Sequence, residues 1–269
     1  MTKSLTDAVR SVDVVRWGSP EHVEDHVAVE EAVEVRLNGV PFSVIMRTPG
    51  SDRELALGFL FSEGLIRRRD DVERIDHDEP AGIVNVVFER SHSDAVAAAL
   101  AERRQVTMNS SCGMCGRRSM ESLAVNAPRV SVDWSVDCDT IGKLPDTLRA
   151  AQPAFAQTGG LHAAGCFDVD GSLEASAEDV GRHNAVDKLV GRMLDAGRLP
   201  LARSLMLVSG RTSFEIVQKA WLGGIPLVAA VSAPSSLAID LARDAGITLV
   251  GFVREGRFNI YAHPARVRA

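Results

Sequence analysis

The sequence predicts an α/β fold, in which a C-terminal half of alternating strands and helices follows a smaller N-terminal α+β half. Apolar segments at 204–209, 227–231 and 248–253 have the length of buried strands and alternate with helical segments of about ten residues. This order predicts a largely parallel sheet that is covered by helices on both faces. In the first half, apolar and polar residues alternate on both sides of Asn38-Gly39, which is typical of a hairpin.

The N-terminal elements follow from local patterns. Alternation from Val27 to Met46 predicts two strands, and a turn at 48–52 precedes an apolar segment with helical spacing. Residues 83–88 are expected to form a strand, and residues 93–101 an alanine-rich helix. Residues 106–119 are polar, contain glycine and lack periodicity, so we interpret them as a loop.

The C-terminal elements begin with a helix predicted over 141–157, which Gly159-Gly160 ends. A hairpin is expected from 163–169 and 173–177, because Asp170-Gly171 lies between them. The remaining elements are predicted, in order, as a helix over 187–194, a strand over 204–209, a helix over 214–222, a strand over 227–231, a helix over 235–245 and strands over 248–253 and 258–262.

We expect three regions in the chain. Residues 1–25 begin with a polar segment and are predicted to be a flexible N-terminus. Residues 26–138 form the expected α+β domain, which carries a cysteine loop at 103–119. Residues 139–269 form the expected α/β domain.

Composition limits the classes of function. A net charge of −6 over 269 residues disfavours a general nucleic-acid or anionic-membrane binder. The first residues lack the apolar segment of a secretory signal, and no stretch approaches the roughly 20 apolar residues of a membrane span. The four cysteines are thiols by default in a reducing compartment. We therefore expect a cytoplasmic protein without nucleic-acid or membrane partners.

The strongest chemical signal is the pair Cys112 and Cys115, in the segment Ser-Ser-Cys-Gly-Met-Cys-Gly at 110–116. A structural zinc site needs two further ligands, but Cys138 and Cys166 stand alone, so no resident metal is expected. A thioredoxin-like motif begins a helix after the first strand of a βαβ unit, and this loop has a different context.

A reactive or sulfur-carrying thiolate is the third interpretation, and the one that the loop favours. Arg103-Arg104 and Arg117-Arg118 bracket the cysteines, and nearby cations favour the thiolate form of a cysteine. Gly113 and Gly116 let the backbone approach a partner closely. The alternative is a pair of inert buried thiols, which a polar loop disfavours.

Three features of the C-terminal half are candidate ligand sites. Ser209-Gly210-Arg211-Thr212 lies between a strand and a helix start, where free N–H groups favour phosphate, although Thr212 or Ser213 could equally cap the helix. Phe252–Arg257 is a basic hairpin tip, which is most often a solvated turn. His162 precedes a strand and could lie at the ligand edge of the sheet, whereas His183 is more commonly an ordinary capping or core histidine.

Zinc-dependent nucleobase deaminases also use an α/β layer, so deaminase chemistry is an alternative for this sequence. That motif is His-x-Glu followed by Pro-Cys-x-x-Cys. Here Ala163-Ala164 follow His162, the cysteine pair precedes this histidine, and no proline stands before the pair. Deaminase chemistry is therefore disfavoured.

Taken together, the motifs resemble the formate dehydrogenase accessory protein family, FdhD. The similar segments keep the same order and extend through nearly the whole chain, which makes the resemblance more specific than a lone cysteine pair. They lie at 54–64, 111–116, 159–164, 178–188, 209–215 and 251–264.

The resemblance implies a C-terminal cytidine-deaminase-like three-layer α/β domain without a catalytic zinc, and a homodimer. It implies a cytoplasmic sulfurtransferase that takes persulfide sulfur from a cysteine desulfurase. The sulfur would pass to the molybdenum of the bis(molybdopterin guanine dinucleotide) cofactor, a bound substrate that then enters apo formate dehydrogenase. Cys112 would carry the persulfide, and Cys115 would assist.

The resemblance also implies a cofactor-binding stretch near the C-terminus. With the candidates above, the expected cofactor-binding residues are Phe252, Val253, Arg254, Glu255, Gly256, Arg257, Ser209, Gly210, Arg211, Thr212, His162 and His183. Cofactor phosphates need cations and helix N-termini, and Arg211, Arg254 and Arg257 could supply the charge.

Two other functions stay open at the level of sequence. A non-catalytic chaperone for the molybdenum cofactor would need the basic C-terminal residues but not the cysteines. A thiol–disulfide oxidoreductase would need a reversible disulfide between Cys112 and Cys115.

Overall fold

The computed structural model describes residues 5–18, 21–89 and 127–269. The helix predicted at 93–101 and the predicted cysteine loop, with Cys112 and Cys115, lie outside these residues.

The first elements are a short helix α1 (Leu5–Ala8) and two strands, β1 (Val9–Val15) and β2 (His22–Ala28). The two strands pair antiparallel, so much of the segment predicted to be flexible has regular structure instead. Val12 and Val14 are half-buried and flank the exposed Asp13, which is the alternation of a strand. Because the segment is polar overall, this alternation was not identified as a strand from the sequence.

The N-terminal sheet has four strands in the order β4-β3-β6-β5. These strands are β3 (Glu31–Leu37), β4 (Val40–Arg47), β5 (Val72–Asp78) and β6 (Ile83–Phe88), with helix α2 (Asp52–Ser62) and a 3₁₀ turn (Arg69–Asp71) between β4 and β5. The predicted hairpin is confirmed, because β3 and β4 pair antiparallel around Asn38 and Gly39. Their φ angles of 49° and 83° lie in the left-handed region that a type I′ turn requires.

Two helices replace the single helix predicted over 141–157. Helix α3 spans Cys138–Ala150 and helix α4 spans Pro153–Thr158. The break falls at Gln152, whose φ and ψ are −114° and 71°, because a residue before proline is sterically restricted from the helical conformation. Gly159 ends α4, as predicted, and it does so in the left-handed conformation.

The remaining elements are β7 (Val136–Asp137) before α3, then β8 (His162–Asp168), β9 (Leu173–Asp179), α5 (Arg182–Asp195), β10 (Ser204–Val208), α6 (Phe214–Leu222), β11 (Leu227–Ala230), α7 (Ser236–Ala245), β12 (Thr248–Arg254), β13 (Arg257–Ala262), a 3₁₀ turn (Pro264–Arg266) and β14 (Val267–Arg268). The elements from β8 to β13 follow the predicted order, and β7, this 3₁₀ turn and β14 were not predicted. In the part of the chain that the structure describes, no helix has the length and apolar character needed to cross a membrane.

Strands β8 to β13 form a six-stranded sheet in the order β13-β12-β11-β10-β8-β9. Within this sheet, the β10–β11 and β11–β12 pairs are parallel and the other three pairs are antiparallel. The prediction of a largely parallel sheet is therefore wrong, and the sheet is mixed. Tight turns join β8 to β9 and β12 to β13, and such turns link antiparallel strands.

The sheet is covered on both faces, as the sequence predicts. Met206 and Val208 of β10 lie in a core cluster that includes residues of α5 and α6, whereas Leu205 and Leu207 lie in a second cluster with residues of α3. Successive residues of a strand point to opposite faces, so helices pack on both sides of the sheet. The chain thus has a mixed α/β architecture, and its likeness to cytidine deaminases stays a prediction.

The first core cluster also includes residues of the N-terminal sheet and of α2. Helix α2 packs closely along α5 because each helix has a glycine that faces the backbone of the other helix. A Cβ on Gly58 would overlap the backbone of Asp187, and a Cβ on Gly191 would overlap the carbonyl oxygen of Glu54. The two predicted domains therefore share one core, and the position of the boundary between them stays a prediction.

Candidate functional site at the carboxyl edge of the sheet

The candidate binding residues lie along one edge of the six-stranded sheet. Because β10, β11 and β12 are parallel, their carboxyl ends share this edge. The loop Ser209–Thr212 after β10 and the tip of the β12–β13 hairpin, Phe252–Arg257, therefore both lie there. Strand β8 runs antiparallel to β10, so His162 at its start lies at the same edge. His162 pairs with Asp179 at the end of β9, just before the helix that carries His183.

Backbone hydrogen bonds join the loop after β10 and the end of β12 to the loop after β11. The Thr212 N–H donates to the carbonyl of Ala233 at 3.1 Å, and the Thr212 carbonyl accepts from Ser235 N–H at 2.9 Å. The Phe252 N–H donates to the carbonyl of Ser232 at 3.2 Å. The two segments predicted to bind the cofactor are therefore held in a fixed relation to each other.

His162, Arg182 and Gly210 meet at one end of this edge. A Cβ on Gly210 would lie 3.2 Å from Cε1 and Nδ1 of His162 and 3.7 Å from Cδ of Arg182. The Ala163 N–H donates to Ser209 Oγ at 2.9 Å and fixes the loop against β8. The glycine therefore lets the loop approach the imidazole closely. Sequence reasoning gave Arg182 no role, because an arginine at a helix start is an ordinary surface residue.

Positive charge surrounds the His162 ring. Burial lowers the pKa of His162 below its ordinary value, and the charges of Arg182, His183 and Arg211 lower it further. The negative charge of Asp179 raises the pKa of His162 and so partly offsets these effects. At physiological pH the imidazole is therefore mainly neutral, although it lies among cations.

His183 belongs to a polar cluster at the start of α6. Its Nε2 lies 3.1 Å from Ser213 Oγ and 3.0 Å from Glu215 Oε2. Ser213 Oγ also donates to Glu215 Oε2 at 2.8 Å. Ser213 occupies the N-cap position of α6 but makes no side-chain capping bond, and the buried Thr212 Oγ1 has no partner among the described residues. A phosphate-binding role for this turn stays a prediction.

Glu215 is a site residue that sequence reasoning did not identify. An acidic residue in the first turn of a helix is common, since it complements the helix dipole, and the sequence carries no further signal. Burial alone would raise the pKa of Glu215, but hydrogen bonds from His183 and Ser213 and the nearby positive charges lower it below its ordinary value. The carboxylate therefore stays ionised and orients both partners.

We expect Glu215→Gln to lower the free energy of unfolding at neutral pH by about 1–2 kcal/mol, because charge-assisted hydrogen bonds are lost. The folded-state pKa of Glu215 lies below its ordinary value. Its contribution is therefore present above the unfolded-state pKa and is lost as the pH falls through the folded-state pKa. Urea unfolding at several pH values should show the difference between the proteins shrinking below about pH 4. A difference that persists in acid would contradict this role of the charge.

The Phe252–Arg257 segment borders a cavity of about 730 Å³. The lining residues are Phe252, Arg254, Glu255, Arg257, Phe258 and Asn259. Val253 is instead fully buried in the second core cluster. Gly256 does not line the cavity, and its Cα lies 3.1 Å from where a Cβ on Gly142 of α3 would be. Neither residue lines the cavity, and a binding role for Gly256 stays a prediction.

The backbone at the cavity has an unusual conformation. Phe252 has a φ of 57°, which is uncommon for a bulky residue and costs on the order of 1–2 kcal/mol. The pairing of β12 with β13 shifts register between Gly251 and Arg254. Such bulges redirect side chains beside binding sites. Here the Phe252 ring borders the cavity, and the Arg254 guanidinium lies 5.8 Å from the ring centroid.

The cysteines differ in what the structure shows of them. Cys112 and Cys115 lie outside the described residues. Within the described residues, Cys138 is half-buried and Cys166 is buried, and both are free thiols. Burial, with a smaller effect from the charge of Glu174, raises the pKa of Cys166 to about 11, so this thiol is a poor nucleophile.

The chain is similar in sequence to proteins of the FdhD/NarQ family. The pattern of the FdhD/NarQ family matches residues 28–268. The chain is 47% identical to the sulfur carrier protein FdhD of Streptomyces avermitilis, over 96% of this chain and 94% of the relative. It is 45% identical to the sulfur carrier protein FdhD of Thermoplasma acidophilum, over 96% of this chain and 92% of the relative.

The structure is also similar to a solved one. The crystal structure of a proposed formate dehydrogenase accessory protein from Desulfotalea psychrophila matches with a TM-score of 0.74 at 27% identity. The match covers 97% of this chain and 98% of the other. The resemblance noted from the motifs is thereby confirmed, and the chain belongs to the FdhD/NarQ family.

Proposed function

We propose that this chain is a sulfur carrier that acts in the maturation of formate dehydrogenase. The observation that carries the proposal is the identity of 45–47% to two sulfur carrier proteins over nearly the whole chain. The family match at 28–268 includes Cys112 and Cys115, the residues with the strongest chemical signal in the sequence.

Cys112 receives sulfur from the persulfide of a cysteine desulfurase. Its thiolate attacks the terminal sulfur, the S–S bond of the donor breaks, and the donor cysteine leaves as a thiolate. Cys112 then holds the sulfur as a persulfide, and Cys115 assists. The acceptor is the molybdenum of the bis(molybdopterin guanine dinucleotide) cofactor, which is a substrate of this protein and is inserted afterwards into apo formate dehydrogenase.

The carboxyl edge of the sheet fits the two chemical parts of a guanine dinucleotide. The rings of Phe252 and Phe258 border the cavity and offer flat apolar surfaces on which a purine base can stack. Arg254 and Arg257 at the rim, with Arg211 along the edge, supply charge for phosphate. The proposal also includes a homodimer that acts in the cytoplasm.

Mass spectrometry tests the sulfur-carrier function directly. The protein is incubated with a cysteine desulfurase and cysteine, digested without reductant, and its cysteine peptides are weighed. We expect a mass increase of one sulfur atom on the peptide that contains Cys112, and none when the desulfurase is omitted. The proposal fails if the added sulfur is absent from Cys112 or appears equally on Cys138 and Cys166.

A further inference from the structure

Strands β1 and β2, with residues 16–18 that follow β1, form a projecting hairpin that we call the arm. Within the described part of the chain, each of these two strands pairs only with the other. Their seven residues give the arm a length of about 20 Å. An isolated two-stranded hairpin is at best marginally stable in water, so the arm depends on what packs against it.

The base of the arm is fastened to the body of the protein. The Val29 N–H donates to the carbonyl of Ala8 at 3.0 Å, which closes the open end of the hairpin. Strand β2 packs against helix α4, and a Cβ on Gly160 would lie 3.5 Å from the Cβ of Ala28. Gly160 stands two residues before His162, which lies at the carboxyl edge of the six-stranded sheet. The arm therefore starts beside the candidate cofactor site.

The two faces of the arm differ in polarity. One face carries half-buried valines, which are Val12, Val14, Val23 and Val27. The other face is exposed, and there Asp13 lies directly opposite Glu24, whose carboxylate accepts a hydrogen bond from the neutral Ser11 hydroxyl at 2.7 Å. The one arginine within the two strands, Arg10, lies on the valine face. Like charges opposite each other destabilise a strand pair, so this acidic face is suited to a partner that brings positive charge.

The tip of the arm is apolar. Val15 is 60% exposed in the last strand pair, and Trp17 beyond it is fully exposed. Tryptophan is enriched among the few residues that dominate the energy of protein interfaces, because it buries a large apolar surface in a pocket of the partner. An exposed tryptophan beside an acidic face therefore indicates a protein-binding element.

The arm lies outside the sequence pattern that defines the family. The match begins at residue 28, which is the last residue of β2. A segment outside the shared pattern can adapt to one particular partner without changing the chemistry of the family.

Charge and position favour one kind of partner. The chain has a net charge of −6, so the acidic faces of two arms would repel each other, which disfavours a second copy bound arm to arm. A folded protein is roughly 30 Å or more across, so a protein bound at the tip also covers the nearby carboxyl edge. In the proposed function, the protein that must reach this edge is the one that receives the cofactor.

We propose that the arm is the docking element for apo formate dehydrogenase, whose surface offers an apolar pocket for Trp17 and lysine or arginine side chains for Asp13 and Glu24. This inference rests on the proposed function for the identity of the partner. The arm holds the dehydrogenase beside the edge from which the cofactor is handed over.

Calorimetric titration of the full chain with apo formate dehydrogenase, purified from cells that cannot make the cofactor, tests the tip. We expect Trp17→Ser to weaken binding about tenfold or more, and Trp17→Phe to keep most of the affinity because it retains an aromatic anchor. Val44→Ser is the matched control, since Val44 is an apolar residue, 47% exposed, on β4 outside the arm. It should bind like the unmodified protein.

The acidic face is tested by replacing Asp13→Asn and Glu24→Gln together. We expect this double variant to bind the apo dehydrogenase about fivefold more weakly at low salt, and to show a smaller loss of affinity as salt is added, because attraction between exposed charges is screened. An unchanged affinity at low salt would overturn the basic partner surface.

Three results would overturn the docking role, with folded variants confirmed by circular dichroism. The first is equal affinity of Trp17→Ser and the unmodified protein for the apo dehydrogenase, or no binding by either. The second is a loss of affinity for the cysteine desulfurase alone. The third is a change only in oligomeric state, measured by light scattering, which would assign the arm to a second copy.

Persulfide formation on Cys112 reports on the proposed function separately. It should be equal in the unmodified protein and in Trp17→Ser, because the arm does not take part in the transfer of sulfur to Cys112. Its absence from both proteins would refute the sulfur carrier, whereas the titrations with the dehydrogenase decide the role of the arm.

Discussion

A Cys112→Ala variant is expected to abolish the activation of formate dehydrogenase, with activity falling by more than about a hundredfold in cells that lack the native protein. The reason is chemical, because alanine has no sulfur with which to form a persulfide. Formate dehydrogenase activity in complemented cells measures the effect. Cys138→Ala serves as the control, because Cys138 is a half-buried thiol at the start of α3, remote in sequence from the proposed carrier, and should restore full activity.

The same experiment separates the competing functions. A chaperone that only holds the cofactor would tolerate Cys112→Ala and would fail when Arg254 and Arg257 are both replaced. A thiol–disulfide oxidoreductase would require Cys112 and Cys115 equally, and would act on disulfides without a desulfurase. The sulfur-carrier proposal predicts that Cys115→Ala still accepts sulfur on Cys112. Full activity of Cys112→Ala would rule the proposal out.

Gly191→Ala is expected to lower the free energy of unfolding by more than about 3 kcal/mol, or to prevent folding. A methyl group on this residue would overlap the carbonyl oxygen of Glu54, and the obstacle is backbone, which cannot move like a flexible side chain. Helices α2 and α5 would have to separate, which would loosen the core that both halves of the chain share. Thermal and urea unfolding measure the loss.

Gly223→Ala provides a matched control for this prediction. Gly223 follows α6 with a φ of −73°, and a Cβ there would meet its nearest atom at 3.4 Å, an ordinary contact. The free energy of unfolding of the Gly223→Ala variant should differ from that of the unmodified protein by less than about 1 kcal/mol. A similar loss in the two variants would show that the close approach of α2 and α5 is not what makes Gly191 sensitive.

Sequence patterns predicted the elements of this fold better than their arrangement. The hairpin at Asn38-Gly39 and the strand at 83–88 are local, because turn chemistry and alternation specify them directly. The pairing of β8 with β10 is not local, since it depends on how the sheet as a whole is packed. No pattern within either strand specifies that their pairing is antiparallel.

In the candidate site, too, local sequence patterns identified some residues, and others became apparent only from contacts between distant parts of the chain. The loop at Ser209–Thr212 could be identified because a strand, a glycine and a helix start are consecutive in the sequence. Arg182 and Glu215 could not, because their roles come from partners distant in the chain, His162 and His183. Val253 was assigned to binding by its neighbours in sequence, yet strand alternation turns its side chain into the core.

The short segment between Asp179 and α5 is fastened to the end of β4. The Thr48 N–H donates to Asp179 Oδ2 at 3.1 Å, the Val180 N–H donates to Thr48 Oγ1 at 3.1 Å, and Asn184 Nδ2 donates to the carbonyl of Met46 at 2.8 Å. Arg182 and His183 are thus positioned by a strand that belongs to the half of the chain carrying the cysteines. A C-terminal fragment expressed alone would leave the Val180 N–H and Asn184 Nδ2 without these acceptors, so the start of α5 would open by local unfolding. The start of α5 therefore keeps its structure only where both halves of the chain fold together.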